Sequence, residues 1–375
     1  MNASPINIDF IETNEALQNL ATHLQSKTII AFDTEFDRFW REYGFKLLLI
    51  QIYDGEKCYL LDPIHISNFK PLWDIFENKN ICKIAYACSE DIQLLKINGC
   101  NTRNIYDVQI AAKLCNHTGN SFGDLVLDIC KTSIDKALQR SNWRTRPLSA
   151  EQKIYASNDV IWLPKLKAYF DDIMPNDELA KILQTENEAC ENIPVATYEV
   201  KLSAKQKAKY NSYYKAIILK LLLVRDNAAE QYNLPPFMIF SDAKMEEIIE
   251  NPNTFLKNPF EKGFSSKFKY NENYAAPFIE IIKGIDSTKP FEAIKKERPI
   301  STEKKNYYSP NKEMIENNCK KIHGLLTETH GIIAGEFIMR GLKKSLQAKP
   351  YNEIVLKPYQ FEKIDEACKT LDIVL

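Results

Sequence analysis

The apolar residues of the first hundred positions fall in short runs, not in helical stripes. Thr28-Ile29-Ile30-Ala31-Phe32 opens one run, Leu47 to Tyr53 forms a second and Lys57 to Asp62 a third. Runs of four to eight residues rich in Ile, Val, Leu and aromatics, bounded by turn residues, predict strands, here over 28–36, 47–53 and 57–62. Tyr53-Asp54-Gly55-Glu56 supplies the turn that makes a hairpin of the last two. The spacing then changes to helical over 68–78, with Ser67 or Asn68 as cap. It returns to a strand over 81–86 and becomes helical again over 90–97, where Ser89 can cap and Asn98-Gly99 ends the helix.

Further helices are expected over 107–115 and 121–130. A long one is expected from Ser149 to Phe170, where Ser149 and Gln152 form a capping box and Ile154, Val160, Leu163 and Leu166 the apolar stripe. Asp177 to Glu191 reads as a helix between Pro175 and Pro194. Strands first, then alternating strand and helix, predict an α/β domain: a mixed sheet with helices packed on it. Beyond it the chain reads as helical over 203–285, broken at Asn233-Leu234-Pro235-Pro236. A proline-bearing, mixed-charge linker follows over 286–309, and 311–375 is helical again.

This layout places several carboxylates with care. Side chains two apart on a strand share a face, so Asp33 and Glu35 lie side by side at the end of the first strand. Two carboxylates that close repel unless a proton or cation stands between them, and an oxygen-only pair suits Mg2+ or Mn2+. Taken alone, the pair could equally be a strand end carrying solvated acids. Asp91 falls in the first turn of a helix that directly follows a strand, a frequent address for functional groups and also one that the helix dipole favours. Tyr155 and Asp159 are four apart on one helical face. Beside an apolar stripe such a pair is more often a buried hydrogen-bonding pair than a catalytic one. Asp107 is a helix N-terminal acid that could also support a site from behind.

Composition narrows the class. A hydrophobic share of 45% and a charged share of 26% are those of an ordinary globular chain. No apolar run approaches the ~20 residues that span a bilayer. Met1 to Asp9 lacks a basic segment followed by an apolar one, so a cytoplasmic protein without a secretory leader is expected. The nine cysteines form no Cys-x-x-Cys pair, which argues against structural zinc and for reduced, mostly buried thiols. The net charge of −1 hides an uneven spread. Residues 1–195 hold 20 Lys+Arg against 27 Asp+Glu, and residues 196–375 hold 29 against 23. A basic back half points to an anionic partner such as nucleic acid. Its sharpest feature is 201–220, with six lysines, no acid, and Tyr210, Tyr213 and Tyr214 available to stack on bases or to pack a core.

Four carboxylates converging on one sheet edge would repel one another badly without cations. A pair of divalent ions would relieve that and would clamp the attacking and leaving oxygens of a phosphoryl displacement. Three stretches resemble the DEDD exonuclease superfamily in the branch with a tyrosine in its third motif, and within it the ribonuclease D family. They are Phe32-Asp-Thr-Glu-Phe36 with Leu49-Ile-Gln-Ile-Tyr-Asp-Gly55 and Leu61-Asp-Pro63; Ala87-Cys-Ser-Glu-Asp-Ile92 with Tyr106-Asp-Val-Gln-Ile-Ala-Ala112; and Trp143-Arg-Thr-Arg-Pro-Leu148 running into Gln152 and Tyr155-Ala-Ser-Asn-Asp-Val160. Leu223-Val-Arg-Asp-Asn-Ala-Ala with Leu234-Pro-Pro-Phe-Met-Ile-Phe-Ser-Asp242 resembles the helical domain that helicases share with ribonuclease D.

The resemblance implies a ribonuclease H-like α/β exonuclease domain over 1–195 followed by two small all-α domains, 203–285 and a more divergent 306–375. It implies Asp33, Glu35, Asp91 and Asp159 as ligands of two divalent metal ions, Mg2+ or Mn2+, and Tyr155 as the residue that orients the nucleophilic water. It implies 3′-to-5′ trimming of RNA, chiefly tRNA precursors, with release of 5′-mononucleotides, and no obligate protein partner or membrane. A nuclease acting on DNA or on other RNA, or a catalytically weak RNA-binding scaffold, is the alternative. Phe36 and Gln51 could shape a terminal-nucleotide pocket or simply pack. One departure is Tyr86, where the family's second motif usually begins with His.

Overall fold

The computed structural model of the chain describes residues 7–119, 121–195, 198–286, 288–289, 312–340, 342 and 356–373. Six strands form one sheet in the order β1-β4-β3-β2-β5-β6. They are β1 (Ile8–Ile11), β2 (Ile29–Arg38), β3 (Phe45–Tyr53), β4 (Cys58–Leu61), β5 (Cys82–Ala85) and β6 (Ile105–Asp107). β3 and β4 are the expected antiparallel hairpin, while β1 runs parallel to β4 and β2, β5 and β6 run parallel to one another. The expected strands stand within two residues of their predicted bounds. β1 and the three-residue β6 carry too short a pattern to be read alone.

Helices α1 (Asn14–Leu24), α2 (Lys70–Glu77) and α3 (Ser89–Ile97) cover one face of the sheet. α4 (Val108–Leu114), α5 (Phe122–Leu125), α6 (Ala150–Ile161), α7 (Leu163–Ile173) and α8 (Asp177–Glu191) follow in the chain. Strand alternation sorts the core in two. Ile30 and Phe32 of β2 pack with Leu17 and Leu20 of α1, Phe76 of α2 and Ile92 and Leu95 of α3. Ala31 faces the other way, with Ala111 of α4, Ala156 and Val160 of α6 and Leu166 and Phe170 of α7. The sheet is thus sandwiched between two helical layers, as a parallel core requires.

Several local expectations need correction. The helix expected from Ser149 to Phe170 is two helices broken at Trp162, because Pro164 sits in the first turn of α7 and cannot donate to a continuing helix. Ile154, assigned above to the apolar stripe, is 51% exposed. α3 begins at Ser89, so the N-cap is Cys88, which makes no side-chain cap bond.

Residues 1–35, 47–195 and 302–375 form one compact unit, and 36–46 with 196–301 form another. In the first, the helices Lys312–His330, Ile332–Ile338 and Pro358–Leu371 add Ile322, Leu326, Phe337 and Ile364 to the core built on α4, α6 and α7. Asn116, just after α4, donates to the carbonyl of His330 (2.6 Å) and accepts from the amides of Ile333 and Ala334 (2.8 and 3.0 Å). The sequence reading set 306–375 apart, yet its described helices share their core with the sheet's helical layer. The expected linker 286–309 lies almost wholly outside the described residues.

The second unit is all helical over its described part of 196–301, and the expected block 203–285 falls within it. Phe240 sits at its centre with the rings of Phe264, Phe268 and Phe278 5.2–5.4 Å away. The tyrosines of 201–220 belong to this interior. Tyr210 and Tyr214 are buried, and the Tyr213 hydroxyl donates to the carbonyl of Gly284 (3.1 Å). Lys209 pairs with Glu246 and Glu250, and Lys205 with Glu246. The aromatic residues of this segment are therefore core, not a stacking surface.

Candidate active site

β2 delivers Asp33 and Glu35 to the carboxyl end of the parallel strands, where open α/β sheets place their ligands. Asp159, on α6, meets them there. The carboxylate oxygens of Asp33, Glu35 and Asp159 lie within 4.8 Å of one another and could hold a metal ion. α6 reaches this point because its start is firmly set. Ser149 accepts from the amide of Gln152 (3.2 Å), and Gln152 accepts from the amide of Ser149 (3.1 Å), so the expected capping box forms.

Asp91 arrives from the other side of the sheet. α3 packs on the face that carries Ile30 and Phe32, and Thr34 points to that same face. The Thr34 hydroxyl donates to Asp91. The middle residue of Asp33-Thr34-Glu35 thereby ties the fourth carboxylate to the first two, a role that alternation assigns to the opposite face and sequence reasoning missed. Asp107, the N-cap of α4, accepts from the amides of Ala87 (2.9 Å), Cys88 (3.1 Å) and Gln109 (2.8 Å). It holds Ala87 at a φ of 52° and so fixes the turn from which α3 and Asp91 depart. The helix-cap reading of Asp107 is realised, and the same carboxylate binds the turn that precedes α3.

The electrostatics are those of an uncompensated cluster. Burial, then the charges of Asp91, Asp159 and Glu35, hold Asp33 well above the usual carboxylate range. Burial, then Asp159 and Asp91, do the same to Glu35. Burial pushes Asp159 up to about 7 and Asp91 up to about 6, the latter against the lowering effect of the Thr34 bond. Acids raised by burial, and in Asp33 and Glu35 also by their neighbours' charges, with only oxygen donors, fit a hard divalent cation, which would oppose these shifts. The next group out is Tyr155, whose ring lies 5.8 Å from that of Trp143. Burial, then Asp159, Glu35 and Asp33, raise its phenol far above the ordinary value, so it stays protonated.

The loop before α6 is stapled by Arg146. Its Nη2 donates to Asp62 (2.9 Å) and to the carbonyl of Leu48 (2.8 Å), and its Nη1 to the carbonyl of Trp143 (2.6 Å). The Leu61-Asp-Pro63 and Trp143-to-Leu148 motifs, far apart in sequence, are therefore two halves of one ion pair. Gln51 is fully buried on β3, and neither of its amide atoms meets a partner among the described residues. Phe36 packs edge-on against Phe45 at 5.0 Å. Tyr86 lies against Phe122 (5.4 Å), and its hydroxyl accepts from Gln109 (3.3 Å).

Residues 8–175 match the family model of 3′-5′ exonuclease domains. The chain is 36% identical over 159 residues to a ribonuclease D of Shewanella sp. (strain ANA-3), which covers 42% of this chain and 41% of that protein. It is 35% identical over 165 residues to the ribonuclease D of Escherichia coli (strain K12), 44% of each chain. The chain thus spans less than half the length of these curated relatives. The crystal structure of Escherichia coli RNase D, described as an exoribonuclease involved in structured RNA processing, superposes with a TM-score of 0.66 at 22% identity over 98% of both chains. That likeness establishes a common fold.

Proposed function

We propose, on the premise that residues 8–175 are a 3′-5′ exonuclease domain, that this chain is a metal-dependent 3′-to-5′ exoribonuclease of the ribonuclease D type. The observation that carries the reading is the meeting of the half-buried Asp33, Glu35 and Asp159, with Asp91 tied to it through Thr34. Ordinary folding has little use for four carboxylates gathered where burial raises every one of them, which supports a cationic occupant.

In this reading Asp33, Glu35, Asp91 and Asp159 are the ligands of two divalent ions, Mg2+ or Mn2+. When bound, the pair activates a water and neutralises charge on the scissile phosphate. The residues of the chain do the rest. α6 holds Asp159 and Tyr155 one turn apart, and the Arg146–Asp62 pair fixes where α6 begins. Tyr155, kept protonated, orients the attacking water through its hydroxyl and is not a general base. Attack at the last phosphodiester releases a 5′-mononucleotide and leaves a new 3′ hydroxyl for the next round.

The substrate class follows from the relatives and the charge. Both relatives named above are ribonucleases D. The basic back half suits a polyanion larger than the terminal nucleotide, and tRNA precursors with extra 3′ nucleotides are the proposed targets. The stretch 203–285 is proposed as a helical nucleic-acid-binding domain of the type shared with helicases, and 306–375 as its divergent second copy, docked on the exonuclease sheet. Among the described residues no helix is long and apolar enough to cross a membrane. Nine free thiols suit the reducing cytoplasm. The test is release of mononucleotides from a 3′-extended tRNA with Mg2+ or Mn2+, against matched single-stranded RNA and DNA.

A further inference from the structure

The second unit carries an aromatic surface that its own fold does not use. Of the four tryptophans, Trp73 and Trp143 are buried and Trp162 is half-buried, whereas Trp40 is 69% exposed. Its ring lies 6.1 Å from that of Phe237, itself 49% exposed, and Met238 beside Phe237 is 53% exposed. A large apolar side chain left in water is seldom accidental when its neighbours are also apolar and exposed.

The exposure is built in. Asp37, itself buried, accepts from the amides of Trp40 (2.8 Å) and Arg41 (3.0 Å) and so fixes the turn that turns the indole outward. Phe39, at a φ of 56°, packs against Tyr43 and Tyr198 at 5.2 and 4.4 Å. Tyr43 donates to Asp226 (2.8 Å), and Glu42 accepts from Asn233 (3.0 Å). The stretch 36–46 is therefore pinned to the helical bundle, and Trp40 is presented on a rigid base.

The exposed charge of this stretch has one sign. Arg38, Arg41 and Lys46 are exposed on the same stretch, while its two acids, Asp37 and Glu42, are buried. Asp242, five residues after Phe237 in the chain, is paired with Arg225. Exposed aromatics among arginines and lysines are the composition of a surface that stacks unpaired bases and tracks a phosphate backbone.

We propose that Trp40 and Phe237, with Met238, form a stacking platform for unpaired bases of a single-stranded RNA, and that Arg41 contacts the phosphate beside the stacked base. Trp40 stands five residues after Glu35 in the chain. The proposal names a ligand for the exoribonuclease reading and rests on it. Its test does not depend on hydrolysis.

The full chain, held in chelator, is titrated with oligoadenylate and with the same oligomer made abasic, while indole fluorescence is recorded. Stacking on Trp40 quenches emission with oligoadenylate and not with the abasic strand. Trp40→Leu removes the quench and weakens oligoadenylate binding roughly 5- to 150-fold, the scale of one lost base stack. Its melting temperature stays at the wild-type value because the indole is exposed. Trp40→Phe restores most of the affinity. Arg41→Gln lowers the slope of log affinity against log salt by about 0.7, whereas Trp40→Leu leaves it unchanged. Equal affinity of Trp40→Leu and wild type, or equal quenching by the abasic strand, overturns the platform and leaves the patch to a protein partner. Metal-dependent hydrolysis is assayed separately, so a failed platform and a failed nuclease give different results.

Discussion

Thr34 donates its hydroxyl to Asp91 across the edge of the sheet, from the face opposite to Asp33 and Glu35. One strand thus serves two helical layers. Its odd-numbered acids meet Asp159 from α6, and the threonine between them holds the acid of α3. Thr34→Val keeps the shape and removes the donor, leaving a buried carboxylate short of a hydrogen bond. The expected cost is about 1–3 kcal/mol of stability, read by denaturant unfolding, with a higher Mg2+ concentration needed for half-maximal activity. Thr34→Ser should restore both. A Val variant with unaltered metal dependence would reduce Thr34 to packing.

Asp159→Asn removes one of the four charges proposed to hold the metal pair. Nearly all hydrolysis should vanish at saturating Mg2+ while the fold persists. Without metal the variant should melt higher than wild type at pH 8, because a repulsive buried charge is gone. Unchanged turnover would remove Asp159 from the metal site.

Tyr155→Phe should lower turnover by ~10²–10⁴, the usual scale for a positioned proton-handling group, with metal affinity nearly intact. Because burial and its acidic neighbours keep the phenol protonated, wild-type activity should show no alkaline limb from this residue below pH 9. Loss of metal affinity and stability, with a normal rate per metal-loaded molecule, would make Tyr155 structural.

The metal-free protein should lose stability as pH rises. Asp91 and Asp159 are raised to about 6 and about 7 in the fold, while an unfolded aspartate titrates near 3.9. Between about pH 4 and 7 the native state binds more protons than the unfolded one, so stability falls with increasing pH. Melting in chelator should therefore drop from pH 5 to pH 8, and added Mg2+ should reverse the drop. The lowered carboxyls, Asp54 and Asp62, act with the opposite sign but only in more acid solution, where they become protonated. A metal-free melting temperature that is flat or rising from pH 5 to 8 would contradict the raised cluster.

Much of the site was legible because it depends on local periodicity. Two-residue alternation paired Asp33 with Glu35, a strand-to-helix junction flagged Asp91, and four-residue spacing joined Tyr155 to Asp159. What escaped depends on which face packs against which. Alternation turns Thr34 away from its neighbours, and only the position of α3 on that face gives it a partner. Arg146 and Asp62 are 84 residues apart and become a pair only when the sheet forms. The tyrosines of 201–220 stood open between stacking on bases and packing a core because composition does not distinguish the inside of a helical bundle from its outside. The stacking residues proposed instead, Trp40 and Phe237, lie 197 positions apart. The C-terminal helices read as a domain of their own because their amphipathic pattern says that a face is buried but not against what. In the fold, Ile322, Leu326 and Phe337 share the core of α4 and α6. A chain ending near Pro194 would therefore lose part of the catalytic unit's core along with its basic half.

The central claim is that the carboxylate cluster hydrolyses RNA from its 3′ end with metal. The most direct measurement follows products from a 3′-extended tRNA, a matched single-stranded RNA and a matched DNA, each with Mg2+, with Mn2+ and with chelator. The account predicts stepwise shortening of the RNAs from the 3′ end and release of 5′-mononucleotides, only with metal and not by Asp159→Asn. Absence of metal-dependent mononucleotide release from any of the three substrates, or equal release by Asp159→Asn, would contradict it.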